Sequence, residues 1–458
     1  MDHASTPVRT ERPPGGKPAP MPVPAKRAAR AAFFGFAVDY FDIYLPVVAL
    51  APAIHYFQPE NISATLEITL FYLTFAVTLI GRPIGSILFG HLSDKIGRRR
   101  STLIAVAGFT VATFLMALLP GYQAWGYGAL FSLMFLRLVG GIFMGGEYTS
   151  ANPLAMEACP KPRRGLVGAF IASAYPVGYI AISVVTLPLL ALLPHDDLNS
   201  PYVQWGWRIP FLIGGALGVF FFIYFYRSIE ESEVWKAEAK SAGAQVSKPP
   251  LRQLFAGDNA RRLVQALLLM SGLWFAVQSI ITPVTGLLIS QLKQDANAVT
   301  LALLLANVAL FAGYLVYGHL GQRFGRRRVL MLTGAGTSTV SAITFFTMVS
   351  LLQGGGNFTL AMVIYTLGLV VAVGPYGVAT VYLLEAFPTN VRASGYGFAY
   401  SVSLIIPSFY SVYMVGLSTV LPYAYTPVVL IVLSGVLTWI GAKLGPETKD
   451  VEFAPART

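Results

Sequence analysis

The sequence contains few charged residues and almost no cysteine. Charged side chains make up 12% of the 458 residues and hydrophobic ones 55%, a balance that excludes an ordinary water-soluble globular protein. The single cysteine, Cys159, excludes an intrachain disulfide, and the five histidines offer no metal-ligand spacing. We therefore expect a membrane protein that needs neither a metal nor another cofactor.

Signature motifs of enzymes are missing as well. The chain has no nucleophile elbow, no paired-histidine motif and no phosphate-binding loop. We therefore expect a protein that is not an enzyme.

Long apolar stretches fill most of the sequence. Windows of about 20 apolar residues recur after residue 30, and each can cross roughly 30 Å of hydrocarbon as a helix. The predicted fold class is an all-α membrane protein with about twelve transmembrane helices. The predicted spans are 31–56, 64–92, 101–121, 126–157, 165–192 and 207–228 in the first half, and 261–290, 298–320, 328–351, 356–384, 394–419 and 421–443 in the second.

The basic residues predict how the chain is oriented in the bilayer. All but four of the 32 Lys and Arg fall in the N-terminal tail, the even-numbered connections and the C-terminal tail; the exceptions are Arg82, Arg137, Arg208 and Lys293. Because Lys and Arg mark the cytoplasmic side, both termini are expected in the cytoplasm. The net charge of +11 then reflects topology, and no nucleic-acid partner is expected.

The sequence contains an internal repeat. Residues 90–100 reappear as residues 318–328, displaced by 228 positions, with the same Gly-His-Leu start and Gly-Arg-Arg-Arg end. A second pair, Glu157-Ala158-Cys159-Pro160 and Glu385-Ala386-Phe387-Pro388, has the same displacement. The repeat predicts two homologous six-helix bundles. We expect a disordered, Pro-rich cytoplasmic tail (1–30), the first bundle (31–228), a cytoplasmic linker (229–260), the second bundle (261–443) and a cytoplasmic tail (444–458).

The repeated motif, G-x-x-x-D-[RK]-x-G-R-R, resembles that of the major facilitator superfamily, and the resemblance covers residues 31–450. Further motifs are similar to those of its metabolite:proton symporter group. They are Arg82-Pro83-Ile84-Gly85, Arg137-x-x-Gly140-Gly141, Gly145-Gly146-Glu147, Glu157-x-x-Pro160, Trp207-Arg208-Ile209-Pro210-Phe211, Glu231-Ser232 and Pro446-Glu447-Thr448-Lys449.

The resemblance implies two bundles around a central cavity, alternating access, and proton-driven uptake of a small organic acid or related metabolite. It also implies a monomer in the lipid bilayer of a bacterial inner membrane. Two departures stand out. Span 1 carries Asp39-Tyr40-Phe41-Asp42 where the group usually has Glu-Trp-aromatic-Asp, and Gln322 replaces the acid of the second loop, which indicates an asymmetric gate.

One such loop alone is compatible with a simple helix anchor, but its duplication favours a cytoplasmic gate between the halves. Asp94 is expected to pair with Arg164 or Arg392. The predicted gate residues are Gly90, Asp94, Gly97, Arg98, Glu147, Glu157, Arg164, Gly318, Gly325, Arg326, Glu385 and Arg392.

Ionisable residues at membrane depth are costly and so are functional candidates. Asp39 and Asp42 lie three positions apart on one face of span 1, and Arg137 lies on span 4. We predict that these three residues couple transport to protons, because protonation of an acid frees Arg137 for a substrate carboxylate. The alternative is a static buried ion pair that only fixes packing.

The predicted substrate-binding residues combine Arg137 with uncharged side chains. The second half has almost no charge in its membrane interior and offers amide and aromatic groups instead. From these and from the tyrosines of the first half we select Tyr44, Tyr175, Tyr179, Trp274 and Gln278. Three alternatives to proton symport of an organic acid remain: a proton-independent facilitator or exchanger, a symporter of a betaine-like zwitterion, and a receptor that retains the scaffold.

Overall fold

A computed structural model describes residues 21–59, 62, 64–195, 197–241 and 250–453. Eleven helical segments in this part of the chain are long and apolar enough to span a membrane, and the 33-residue helix Ala64–Ile96 lies between the first and the second of them. The prediction of an all-α membrane protein with about twelve spans is confirmed.

The spanning helices are named in chain order. The first half consists of α1 (Val23–Phe57), α2 (Ala64–Ile96), α3 (Arg98–Ala117), α4 (Tyr127–Glu157), α5 (Lys161–Leu192) and α6 (Tyr202–Ser228). The second half consists of α7 (Gly257–Ile289), α8 (Ala298–Phe324), α9 (Arg326–Gln353), α10 (Phe358–Ala386), α11 (Thr389–Leu417) and α12 (Tyr423–Leu444). Two short helices, Glu233–Ser241 and Pro250–Leu254, lie in the linker.

The first helix begins earlier than the sequence predicts. We expected a disordered tail up to residue 30, but α1 starts at Val23; residues 1–20 of that tail lie outside the described residues. Pro24 occupies the first turn, where its missing N–H costs nothing, and the alanines that follow are the best helix formers. Ala25, Ala28 and Ala29 are also buried, so packing stabilises this turn. The prolines further upstream obscured this signal.

Several spans are interrupted along their length. In α1, Pro46 lies in a wider π-helical turn, Leu45–Leu50. The regular helix of α5 breaks at Ser173, and α10 breaks at Gly374 and Pro375. Such breaks are tolerated at membrane depth where the backbone is buried in protein or lines a cavity.

The two halves contact each other through pseudo-equivalent helices. Helix α2 packs against α11, and α5 packs against α8 and α10. The end of the bundle that carries both repeated loops, residues 90–100 and 318–328, is called the basic face below. The halves are held together there.

Within the first half, α2 and α4 pack closely through glycines. A Cβ atom added at Gly85 would overlap the carbonyl oxygen of Ile142, and one added at Gly145 would overlap the carbonyl oxygen of Arg82. Small residues of this kind allow helix backbones to approach in a membrane.

We expect Gly85→Ala to lower the free energy of unfolding by about 1–3 kcal/mol, the usual cost of overpacking. The steric conflict is with backbone, which cannot rotate away. Thermal unfolding in detergent measures the effect. Gly416→Ala is the matched control, because a Cβ there meets nothing within 4 Å. Equal melting temperatures for the two variants would contradict the close packing.

Candidate functional site

The first repeated loop is fixed by a carboxylate from the linker. The Glu231 side chain accepts hydrogen bonds from the backbone N–H groups of Arg98 (2.9 Å) and Arg99 (3.1 Å) at the start of α3. Gly97 has φ of +105°, in the left-handed region, and a Cβ there would overlap the Glu231 carboxylate. This position therefore requires glycine, since the acid occupies the space of a side chain and caps the helix.

The second repeated loop is built in the same way. The Glu447 side chain accepts from the backbone N–H groups of Arg326 (2.8 Å) and Arg327 (3.1 Å), and Gly325 has φ of +97°. Glu231 and Glu447 belong to two of the seven further motifs named in the sequence analysis, Glu231-Ser232 and Pro446-Glu447-Thr448-Lys449. Each motif therefore stabilises one copy of the loop.

A charge network links the halves at the first loop. Arg98 forms ion pairs with Asp94 and, at 3.4 Å, with Glu157, while Arg392 from the second half binds the same Glu157 at 2.8 Å. Asp94 also accepts hydrogen bonds from the backbone N–H (3.0 Å) and the hydroxyl (2.6 Å) of Ser394. These side chains are almost fully buried, so the pairs are poorly screened by solvent.

The second loop uses an amide where the first uses an acid. Arg326 binds Glu385 through two bonds of 3.1 Å and donates to the Gln322 side chain at 3.0 Å. The same Gln322 oxygen accepts from the backbone N–H of Gly165 in the first half at 2.9 Å. Gln322 thus bridges the halves without a charge, and the expected asymmetry lies in this contact.

The segment after α12 adds a further contact between the halves. The Phe453 ring lies against the guanidinium of Arg164, 3.6 Å from the ring centroid, and that of Arg392, at 4.0 Å. Arg164 also donates to the backbone carbonyl of Val451 at 2.8 Å. One arginine comes from each half, so the ring joins both by cation–π contact.

The structure brings eleven of the twelve predicted gate residues together at the basic face. Gly90 approaches Ser394, and Gly318 approaches Gly165. The expectation that Asp94 pairs with Arg164 or Arg392 needs correction. Asp94 pairs with Arg98 of its own motif and with Ser394, whereas Arg392 pairs with Glu157. Ser394 lies outside the motifs named above, so its hydrogen bonds to Asp94 were not predicted.

Glu147 lies apart from the gate, although we grouped it there. Its carboxyl group lies against Gly35 of α1, because a Cβ at Gly35 would overlap its Oε1 atom. Gly35 and Asp39 are one turn apart on the same face, so Glu147 lies close to Asp39. Depth along α4 cannot be read from its sequence, which explains the misplacement.

The second predicted acid, Asp42, is held by Arg137. The distance from Arg137 Nη1 to Asp42 Oδ2 is 3.1 Å, and the Thr113 hydroxyl donates to Asp42 Oδ1 at 2.5 Å. Arg137 also donates to the backbone carbonyls of Asp42 (3.1 Å) and Ile43 (3.4 Å). The predicted ion pair between spans 1 and 4 is therefore present, and it involves Asp42.

Asp39 has a different environment. Neither of its carboxyl oxygens has a hydrogen-bond partner among the described residues. The Arg82 guanidinium of α2 lies within electrostatic range but contacts rings, at 5.0 Å from the Tyr148 centroid and 5.9 Å from that of Tyr40. Arg82, one of the four basic residues outside the predicted cytoplasmic segments, is buried.

A narrow cavity of about 10 Å³, roughly the space that one water molecule needs, lies between the halves at the level of the broken helices. The Trp274 ring packs edge-to-face on Tyr400 at 5.2 Å and on Tyr376 at 5.5 Å, and the Tyr40 and Tyr400 hydroxyls meet at 3.2 Å across the halves. Ten uncharged residues line the cavity: Phe36, Tyr40, Ala172, Tyr175, Trp274, Val277, Tyr314, Tyr376, Thr380 and Tyr400.

The structure divides the predicted substrate residues into three groups. Tyr175 and Trp274 line the cavity. Tyr44 and Tyr179 lie behind it, since the Tyr44 hydroxyl donates to that of Tyr175 at 2.8 Å and the rings of Tyr44 and Tyr179 are 5.0 Å apart. The side-chain oxygen of Gln278 accepts a hydrogen bond from the Thr282 hydroxyl at 3.0 Å, and Gln278 does not line the cavity.

Arg137 belongs with Gln278 in the third group, because its side chain is 1% exposed and bound to Asp42. It does not line the cavity. The expected role as a substrate ligand therefore has no support in this arrangement.

Sequence reasoning missed part of the cavity wall. Phe36, Tyr40 and Tyr44 recur every four residues, which places them on one face of α1. That four-residue spacing indicates a shared aromatic face of α1. Tyr314, Tyr376 and Tyr400 have no distinguishing spacing, because each comes from a different helix of the second half.

Comparison with known proteins agrees with this architecture. Residues 32–409 match the Major Facilitator Superfamily. The chain belongs to this superfamily, as the repeated loop indicated. It is therefore a membrane transporter with the two-bundle fold.

Among curated relatives, the chain is similar to the inner membrane metabolite transport protein YhjE of Escherichia coli (strain K12), with 31% identity over 82% of this chain and 84% of the relative. It is 28% identical to a citrate-proton symporter of Salmonella typhi, covering 81% and 82%. A proline/betaine transporter of Escherichia coli (strain K12) is 26% identical, covering 83% and 75%.

The superfamily transporter also resembles solved structures in fold. The proton:xylose symporter XylE bound to 6-bromo-6-deoxy-D-glucose superposes with a TM-score of 0.75 at 18% identity, covering 94% of this chain and 98% of that one. At this identity the likeness concerns the fold alone.

The gate can be probed with the native cysteine. Cys159 follows Glu157 and is 3% exposed, and burial raises the pKa of its thiol to about 12. We expect Arg392→Gln to speed alkylation of Cys159 by N-ethylmaleimide roughly tenfold, since a charge-assisted hydrogen bond contributes about 1.5–3 kcal/mol. Lys236→Gln, which breaks an exposed pair with Glu233, is the control. An unchanged rate in Arg392→Gln would show that this pair does not hold the face closed.

Proposed function

We propose that this transporter is a proton-coupled symporter that takes up a small organic acid by alternating access. Five ionisable side chains buried at membrane depth in the first half carry the proposal: Asp39, Asp42, Arg82, Arg137 and Glu147. Charges are seldom retained there without a function, and these lie beside a cavity between the two halves.

The substrate carboxylate binds Arg82 in this proposal. Arg82 Nη2 lacks a hydrogen-bond partner, and no ion pair to it forms within the described residues. The guanidinium carbon lies 5.9 Å from the centroid of the Tyr40 ring, which lines the cavity, so a movement of that ring would give the substrate access to Arg82. Its planar fork suits two carboxylate oxygens, while the surrounding rings accept the apolar part of the substrate.

Protonation of Asp42 couples transport to the proton gradient. The carboxylate form holds α1 against α4 through Arg137, and the neutral form loses most of that attraction. The relative position of these helices then depends on the proton. Movement of the first half against the second would break the gate at the basic face.

The basic face lies in the cytoplasm, with both termini, because Lys and Arg accumulate on that side. The superfamily transporter acts as a monomer in the inner membrane, where the relative YhjE is named as residing. A chain closed at this face receives its substrate from the opposite side.

A second candidate is symport of a betaine-like zwitterion. The specific observation in its favour is the cage of rings formed by Tyr40, Trp274, Tyr376 and Tyr400, because aromatic faces hold quaternary ammonium groups. Proton-independent exchange of organic anions remains the other alternative.

Uptake into proteoliposomes tests the proposal. We expect one of citrate, alpha-ketoglutarate, shikimate or a monocarboxylate to accumulate with an imposed pH gradient and not without it, while betaine does not. Asp42→Asn should abolish accumulation and retain exchange, since the neutral amide mimics the protonated acid. Uptake of an acid that requires a counter-anion loaded inside the vesicles and ignores the pH gradient would establish the exchanger. Accumulation of betaine alone would establish the zwitterion symporter.

Arg82→Gln is expected to raise the KM for the transported acid roughly 10- to 100-fold, because the lost charge-assisted bonds are worth about 1.5–3 kcal/mol. Initial uptake rates at several concentrations measure the change. Arg261→Gln removes an exposed arginine of α7 and serves as the control. A KM equal to that of the control would exclude Arg82 as the carboxylate ligand.

A further inference from the structure

Two buried carboxyl groups lie near each other without hydrogen-bond donors. Asp39 on α1 is 0% exposed and Glu147 on α4 is 1% exposed. None of their four oxygens has a partner in the part of the chain that the structure describes. The Glu147 carboxyl fills the space beside Gly35, one turn from Asp39, so the two groups share one pocket between the helices.

A single positive charge faces this pair. The Arg82 guanidinium of α2 acts on both acids, whereas Asp42, the next acid along α1, is held by Arg137. The other titratable groups that face the pair are tyrosines: Tyr40 on α1, Tyr148 on α4 and Tyr396 on α11.

The charge balance of the pocket requires a proton. Two carboxylates beside one guanidinium would leave a net charge of −1 in a medium of low dielectric, where an uncompensated ion costs several kcal/mol or more. One proton on the pair makes the pocket neutral. Two carboxyl groups that compete for one counter-charge then share that proton, as carboxylate pairs do elsewhere.

We propose that Asp39 and Glu147 form a proton-binding site that holds one shared proton in the empty transporter, with Arg82 as counter-ion. The site is separate from the Asp42–Arg137 pair. It rests on the proposed function in one respect: when a substrate carboxylate occupies Arg82, the counter-charge is used by the substrate and the pair accepts a second proton.

Gly35 belongs to this site as a positioning residue. Any side chain there would displace the Glu147 carboxyl from its place beside α1. The glycine therefore keeps the second acid within reach of Asp39 and Arg82.

Infrared spectroscopy of the purified full-length protein without substrate tests the shared proton directly. Protonated carboxyl groups give a carbonyl-stretch band that shifts in D₂O, and carboxylates do not. We expect wild-type minus variant spectra to show the same complete loss of one such band in Asp39→Asn and in Glu147→Gln, because either remaining acid ionises beside Arg82. Asp258→Asn, at an exposed position of α7, should leave the band in place.

Arg82→Gln supplies the opposite change. Without a counter-charge both acids should be protonated, so the band should gain intensity instead of losing it. Circular dichroism and the alkylation rate of Cys159 confirm that each variant keeps its fold.

The outcomes separate this inference from the proposed function. A band that persists in either single-acid variant shows that the two acids titrate independently, and the absence of a protonated carboxyl in the wild type removes the site; either result overturns the inference even if symport is observed. Transport that ignores the pH gradient overturns the proposed function, whatever the spectra show.

Discussion

A charged side chain is stable in the membrane interior only where another charge, a ring face or a bound proton offsets the cost of burying its charge. The first half of this transporter meets that constraint in three ways. Asp42 is compensated by Arg137, Arg82 lies on the rings of Tyr148 and Tyr40, and Asp39 lies near both Arg82 and Glu147. The position of α1 between α4 and the cavity depends on these three interactions, because each of them joins a residue of α1 to another helix.

The two halves have retained equivalent contacts around their repeated loops. Each loop motif has an arginine bound to an acid 59 residues later, Arg98 with Glu157 and Arg326 with Glu385, and a helix start capped by a glutamate. The buried charges of α7–α12, among the described residues, all lie at the basic face. Both halves therefore contribute buried ion pairs at the basic face, whereas Asp39, Asp42, Arg82, Arg137 and Glu147 belong to the first half.

Sequence patterns within single segments predicted the features that depend on neighbouring residues in the chain. The repeat located both loops and most gate residues, and the spacing of Asp39, Asp42 and Arg137 predicted an ion pair between α1 and α4 that the structure contains. Two features were out of reach. The neighbourhood of Glu147 depends on the depth at which α4 passes Gly35. The cavity wall is assembled from six helices whose aromatic residues look like ordinary packing when each is taken alone.

The uncharged wall of the second half has an evolutionary consequence. Substitutions among Trp274, Tyr314, Tyr376 and Tyr400 change the shape and polarity of the cavity without altering any buried charge. Under the proposed function, such substitutions would let a descendant transporter bind a new substrate while the buried charges of the first half stay the same. Duplication would in this way allow part of the substrate specificity to change at a different rate from the proton coupling.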